Sequence, residues 1–154
     1  MKEALDNARQ ELQRVDHLFY VSLKYTRTVD MMRHMIKRLI NAFSFGVESL
    51  LKYAKEQKMI ENVPSNPKIS ADLLMKTFTD KEITEYMNLY LKLRKIIKVD
   101  YAKGEEYRRH VTMTCTIDND KIIEINIDVL KEHYDAAKNF IAYVERVVEG
   151  KEED

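Results

Sequence analysis

Apolar residues recur at three- and four-residue steps along most of this chain, which is the spacing of one face of an α-helix. The pattern fills four long stretches, at residues 3–25, about 28–60, 79–97 and 128–149. The second stretch carries the widest stripe, which suggests burial on more than one side, by several helices or by a dimer partner. The pattern predicts a mainly α protein, with an antiparallel four-helix bundle as the economical packing.

The period changes between the third and fourth stretches. From about 107 to 127, β-branched residues alternate with polar ones, and Asp118, Asn119 and Asp120 supply turn material. This predicts a β-hairpin with strands at about 107–117 and 121–127. An isolated hairpin is marginal in water, so its apolar face must pack on the helices or on another chain.

Few residues interrupt the long stretches. The segment "ENVPSNPKIS" contains both prolines and predicts a loop, followed by a short helical turn capped by Ser70. Asp128 is the expected cap of the last helix, and Gly150 its end. Residues 150–154 then form an acidic tail. We expect a single domain over residues 1–154.

Composition narrows the function classes. Charged residues make up 34% of the chain, and this Lys- and Glu-rich composition leans towards a thermophile's protein. The 26 basic and 26 acidic residues cancel, so binding to nucleic acid has to come from a local patch. No apolar segment is long enough for a signal core or a membrane span, and the single cysteine fits a reducing compartment. These features predict a soluble cytoplasmic protein that contacts no membrane.

Metal and cofactor motifs are missing. The four histidines are far apart in sequence, no paired-cysteine spacing exists, and no glycine-rich turn follows a strand. We therefore expect neither a metal nor a cofactor. Cys115 is interpreted as a small buried thiol rather than a nucleophile.

Basic residues form two clusters. They crowd the start of the second helix and the end of the third, and they form a positive patch able to bind phosphates if the fold brings the two ends together. Ordinary solvated helix faces are the alternative interpretation. The clusters comprise Lys24, Arg27, Arg33, Lys37 and Arg38 in the first, and Lys92, Arg94, Lys95, Lys98 and Lys103 in the second.

Arg94 differs from its neighbours because it lies on the apolar stripe of the third helix, four residues after Tyr90. An arginine at a buried edge needs a partner. Asp100 and Tyr101 follow closely in the sequence. Two interpretations stay open, an Arg–Asp pair that stabilises the helix end and a guanidinium that recognises phosphate at a groove.

The order of helices resembles that of a HEPN domain, the higher-eukaryote and prokaryote nucleotide-binding family. The resembling segments run from "ALDNARQELQRVDHLFYVSLKY" to "INIDVLKEHYDAAKNFIAYVERVV" and span roughly residues 3–149. Ribonuclease members of that family carry an Arg, a short spacer and a His, often followed by a Tyr. Arg94 and Tyr101 match the ends of this motif, but Val99 occupies the position of the His. The resemblance implies a homodimer without the usual ribonuclease residue, with the hairpin as an insertion.

The resulting hypothesis is a dimeric, non-catalytic HEPN-like protein that binds nucleotide or RNA at a basic groove. One alternative is a protein-interaction module that partners a small nucleotidyltransferase in a toxin–antitoxin-like pair. Another is a metal-independent endoribonuclease in which folding brings His34 or His110 to Arg94. The predicted binding residues are Arg94, Lys98, Asp100, Tyr101, Arg27, Arg33 and Lys37.

Overall fold

The protein is mainly helical and carries a small antiparallel sheet of three strands. The structure is a computed structural model that describes residues 1–150. The chain forms α1 (Lys2–His17), a π-helical turn (Leu18–Ser22), α2 (Leu23–Tyr25), α3 (Val29–Glu56), α4 (Pro67–Thr77), α5 (Lys81–Ile96), β1 (Tyr101–Gly104), β2 (Thr112–Ile117), β3 (Lys121–Ile125) and α6 (Ile127–Glu149).

Helix α3 is the element that the other helices cover. It packs against α1, α4, α5 and α6, and α1 and α6 also pack against each other. Its wide apolar stripe is therefore buried within the chain, and no second copy is needed to cover it. The stripe residues that are at most 7% exposed are Val29, Met32, Met35, Ile36, Leu39, Ile40, Ala42, Phe43, Val47, Leu50, Leu51 and Ala54.

Two helices begin earlier than the sequence predicted. The Asn66 side chain caps α4 by accepting a hydrogen bond from Ile69 N at 3.1 Å, and Asn126 caps α6 through Val129 N at 2.8 Å. The predicted caps Ser70 and Asp128 were wrong, since both residues lie inside their helices. In each case an asparagine a few residues upstream supplies the accepting oxygen.

The sheet contains more than the predicted hairpin. Strands β2 and β3 pair antiparallel around a turn at Asp118 and Asn119, whose φ angles of 49° and 76° are left-handed. Residues 107–111 are not strand, and Ile127 already belongs to α6. The added strand β1 pairs with β2 from Tyr101↔Cys115 to Gly104↔Thr112. Sequence reasoning missed β1 because "YAKG" is short and has no β-branched residue.

The sheet packs on the chain's own helices. Strand β2 contacts α5, and β3 contacts α6. The inward side chains of this region are buried, which confirms the predicted alternation. The sequence left open whether the hairpin packs on the helices or on another chain, and its apolar face packs on the helices. These residues are Val111, Met113, Cys115, Ile117 and Ile125.

The last helix ends as predicted. Gly150 terminates α6 with a left-handed φ of 68°, a conformation that glycine adopts without a steric penalty. The rest of the predicted acidic tail, residues 151–154, lies outside the described residues. Across residues 1–150, no helix is long and apolar enough to cross a membrane.

Gly46 provides a test of the α3–α6 contact. A Cβ added at Gly46 would lie 2.6 Å from Phe140 Cε2 and 2.8 Å from Ile141 Cδ1. We expect Gly46→Ala to lower the free energy of unfolding by about 1–3 kcal/mol, because overpacking a close helix contact forces both helices to shift. Urea denaturation measures this change.

Gly104→Ala is the matched control. Its added Cβ would meet only Thr112 O, at 3.6 Å, which is an ordinary contact. We expect a change within about 1 kcal/mol for this variant. Equal destabilisation by the two substitutions would contradict a tight α3–α6 contact at Gly46.

Candidate nucleic-acid interface

The fold brings the two predicted basic helix ends together. Arg33, near the start of α3, donates from Nη2 to the carbonyl of Ile97 just after α5, at 3.2 Å. Its guanidinium lies over the ring of Tyr101, with Cζ 4.1 Å from the ring centroid. The Tyr101 hydroxyl in turn donates to Asp30 at 3.4 Å. Arg33 and Tyr101, both among the predicted binding residues, thus contact each other, a pairing that the sequence did not predict, and these contacts tie the guanidinium to the protein itself.

Lys103 of β1 completes this contact. Its ammonium lies 3.3 Å from Asp30 and 3.9 Å from Glu106. The hydrogen bond that Lys103 donates to Asp30 raises the pKa of the exposed Lys103 ammonium. The Arg33–Tyr101–Asp30–Lys103 group therefore joins β1 to α3, and its two cations are balanced by Asp30 together with Glu106.

Arg94 lines a separate cavity of about 370 Å³ between α5 and the start of α4. Its Cζ lies 5.7 Å from the centroid of the Tyr90 ring, and the Tyr90 hydroxyl is 2.7 Å from Ser44 Oγ. This chain of contacts positions the guanidinium on the edge of the core. The cavity is lined by Asn66, Pro67, Lys68, Leu91, Arg94, Lys95 and Lys98.

The Arg94 cavity is electropositive. Four of its lining side chains are cationic and none is a carboxylate. Lys68 pairs with Asp72 at 3.1 Å and Lys95 with Asp118 at 2.9 Å, both on exposed surface where such pairs are weak. The N-terminus of α4 also lies here, and its helix dipole adds partial positive charge, although Pro67 has no N–H and the N–H of Ile69 donates to Asn66. The arrangement suits an anion with several oxygens, such as phosphate.

Asp100 and Tyr101 do not join Arg94. Tyr101 stacks with Arg33, and Asp100 is exposed at a shallow surface that it shares with Lys98 and Tyr101. Within residues 1–150, no ion pair joins Arg94 to Asp100, so the Arg–Asp pair, one of the two interpretations left open by the sequence, does not form. The helical spacing fails because α5 ends at Ile96, before either residue, and Tyr101 is already the first residue of β1.

The remaining predicted residues lie elsewhere. Arg27 lines a cavity of about 250 Å³ with Arg109, His110, Asn126, Ile127 and Asp128. Lys37 is exposed on α3 and lines none of the cavities described in this section. Only Arg94 and Lys98 of the seven predicted residues therefore share the Arg94 cavity.

Sequence reasoning missed a cleft between α1 and α3. His17 and His34 line this open cavity of about 510 Å³, together with Arg14 and Arg38. Both guanidiniums bind the buried carboxylate of Glu11, at 2.7 Å from Arg14 and 3.3 Å from Arg38. The four-residue steps from Gln13 to His17 and from His34 to Arg38 could have signalled the cleft, but not which helices face each other.

Burial shifts the pKa values of His133 and Cys115. Burial, followed by the charge of Lys92, lowers the pKa of His133 to about 4. Burial raises the pKa of the Cys115 thiol, against the opposing charges of Arg33 and Lys92. Cys115 is thus a core thiol, as expected. Residues 1–150 contain no group of three or more His, Cys, Asp or Glu side chains placed to hold a metal ion.

Comparison with known proteins identifies no relative. No family model, no curated protein and no solved structure matches this chain. The HEPN resemblance therefore stays a prediction, and the functional argument rests on the geometry of the chain itself.

His133 predicts how stability depends on pH. Its pKa is about 4 in the folded protein and 6.5 in a model peptide, so the unfolded chain binds the extra proton between those values. Stability is fully present above pH 6.5 and falls as the pH drops towards 4. We expect this one group to cost up to about 2 kcal/mol at pH 5.

The measurement is urea denaturation of wild type and His133→Gln at pH 7.5, 6 and 5. Carboxylates titrate in both proteins, so their effect cancels in the difference between the two unfolding free energies at each pH. The wild type should lose more stability over this range than the variant. Parallel curves would show that His133 charges without penalty in the folded state.

Proposed function

We propose that this protein binds phosphate groups of RNA or of a nucleotide at the Arg94 cavity, without catalysing a reaction there. The observation that carries the proposal is the lining of that cavity by Lys68, Arg94, Lys95 and Lys98, with no carboxylate among them. In a chain with zero formal net charge, such a concentration of one sign is a local feature.

The chemistry of the cavity favours phosphate over other anions. A guanidinium offers a planar fork of donors that matches two phosphate oxygens, and lysines add charge from the sides. The helix dipole at the start of α4 adds partial positive charge at the same place. Arg94 is held by the Tyr90 ring rather than by a carboxylate, so its N–H groups remain available for a ligand.

A HEPN-like architecture is the finer proposal for the fold. It requires α1, α3, α5 and α6 to act as a four-helix bundle with the sheet as an insertion. The packing of α3 against the other three helices, and of α6 against α1 and α5, supports it. The homodimer, the nucleotidyltransferase partner and the cytoplasmic location remain proposals from sequence, and the sequence argument for a dimer weakens because the α3 stripe is already covered.

Charge reversal at Arg94 tests the phosphate proposal. We expect Arg94→Glu to weaken binding of a short single-stranded RNA about tenfold or more at low salt. It should also reduce the slope of log affinity against log salt concentration by about one or two, because fewer counterions are released. Fluorescence anisotropy at several salt concentrations measures both.

Lys2→Glu is the matched control, since Lys2 is exposed at the start of α1 and lines none of the cavities described above. It makes the same change in net charge. An equal loss of affinity in both variants would indicate non-specific attraction, and an unchanged affinity in Arg94→Glu would remove the proposed site.

Metal-independent RNA cleavage is a second candidate function, in the cleft between α1 and α3. The pairing expected from sequence is not assembled, because neither His34 nor His110 lines the Arg94 cavity. The α1–α3 cleft instead combines His17 and His34 with two guanidiniums held by Glu11. Two imidazoles can act as base and acid, and the arginines can stabilise a phosphorane-like transition state.

The test is an RNA cleavage assay in the presence of EDTA. Wild type should release products, and His17→Gln and His34→Gln should each lose at least about a hundredfold in rate. His110→Gln is the control, because His110 lies at a different cavity. Absence of cleavage by purified wild type would end this candidate and leave the binding proposal untouched.

A further inference from the structure

Three tyrosines project into solvent at one end of the molecule. Tyr20, Tyr25 and Tyr107 are 65%, 77% and 74% exposed. The backbone N–H of Tyr107 donates to the carbonyl of Arg27 at 2.7 Å, and Arg27 follows Tyr25 by two residues. Two of the rings therefore belong to adjacent chain segments, and Tyr20 lies in the π-helical turn just before α2.

The backbone around these rings is unusual in two places. Tyr20 lies in the π-helical turn, a rare conformation that occurs often at functional sites. Tyr107 has a φ of 62°, a left-handed conformation that bulky residues rarely adopt. The hydrogen bond to Arg27 holds Tyr107 in place, so the fold maintains a strained residue whose ring is left in water.

Cations lie near two of the exposed rings. Lys24 lies 5.9 Å from the Tyr25 ring centroid, and Lys131 lies 5.9 Å from that of Tyr20. Arg27 and Arg109 line a cavity with His110 at the same end. We call this surface the tyrosine surface, defined by Tyr20, Lys24, Tyr25, Arg27, Tyr107, Arg109 and Lys131.

Carboxylates offset only part of this charge. Lys131 pairs with Asp135 at 3.7 Å, and Asp128 lines the Arg27 cavity. Glu105 is taken by the neighbouring Arg108, at 3.5 Å. Within residues 1–150 no ion pair holds Arg27 or Arg109, so both guanidiniums remain free for a ligand.

We propose that the tyrosine surface binds single-stranded nucleic acid, with bases stacked on Tyr25 and Tyr107 and phosphates bound by Arg27 and Arg109. Exposed aromatic rings interleaved with cations are the combination that unpaired nucleotides require, since each nucleotide offers a flat base and a negative phosphate. A duplex hides its base faces, so it cannot use the rings. A protein partner would use the rings but would leave the arginines unmatched unless it were acidic.

This inference goes beyond the Arg94 cavity, because it adds recognition of bases to recognition of phosphate and involves different residues. The two proposals can fail separately. Arg94→Glu tests the cavity alone, and substitutions of Tyr25 and Tyr107 test the tyrosine surface alone.

The experiment is a fluorescence anisotropy titration with an oligoadenylate of about 12 nucleotides, a length within the range that such surfaces cover. We expect Tyr25→Ala and Tyr107→Ala each to weaken binding about tenfold. Tyr25→Phe and Tyr107→Phe keep the ring and should bind as wild type does. Ile122→Ala, at another exposed apolar residue that is 67% exposed on β3, is the control for loss of surface hydrophobicity.

Changing the nucleic acid separates stacking from charge. Wild type should bind an abasic strand of the same length, and a duplex of the same sequence, at least about tenfold more weakly than the oligoadenylate. Equal affinity for the abasic strand, or unchanged affinity in both alanine variants, would overturn the stacking proposal. A change in the solution mass of Tyr25→Ala without any change in oligoadenylate affinity would instead assign the surface to a second copy of the chain and equally overturn it.

Discussion

Burial of the apolar stripe of α3 is the constraint on which the rest of the structure depends. Phe43 is its centre, with ring centroids 5.4 Å from Phe140 of α6 and 5.9 Å from Tyr90 of α5. Gly46, one turn along, lets α6 approach closely. These contacts fix the positions of α5 and α6 against α3. The positions of the loops and strands between α5 and α6 are set as a consequence.

The same packing determines which charged side chains pair between helices and which stay exposed. Some ion pairs join helices that the core has already placed side by side, such as Arg9 with Glu145 between α1 and α6 and Arg38 with Glu11 between α3 and α1. Cations are concentrated at two places, the Arg94 cavity and the tyrosine surface. A protein with no net charge thereby gains two surfaces that can attract phosphate.

The two surfaces differ in what they offer a ligand. The Arg94 cavity combines cations with a helix N-terminus and has one aromatic partner, Tyr90, whose hydroxyl is engaged with Ser44. The tyrosine surface offers exposed rings and a small cavity lined by Arg27 and Arg109. The first suits a compact phosphate group, and the second suits the alternating bases and phosphates of an extended strand. Both surfaces are formed by polar side chains near helix ends, because the middle turns of the helices are buried in the core.

The sequence by itself determined the helices, the alternating strand β2 and the turn at Asp118 and Asn119, because periodicity and turn chemistry are local properties. It also located the cation-rich helix ends. It did not reveal β1, because the pairing of β1 with β2 joins residues that are distant in the sequence. It also did not identify the asparagine caps, because several neighbouring polar residues were possible N-caps. Only the tertiary structure decided that Tyr101 meets Arg33 rather than Arg94, and that His17 and His34 share a cleft. Those outcomes depend on which faces of separate helices meet, and no spacing along one chain specifies that.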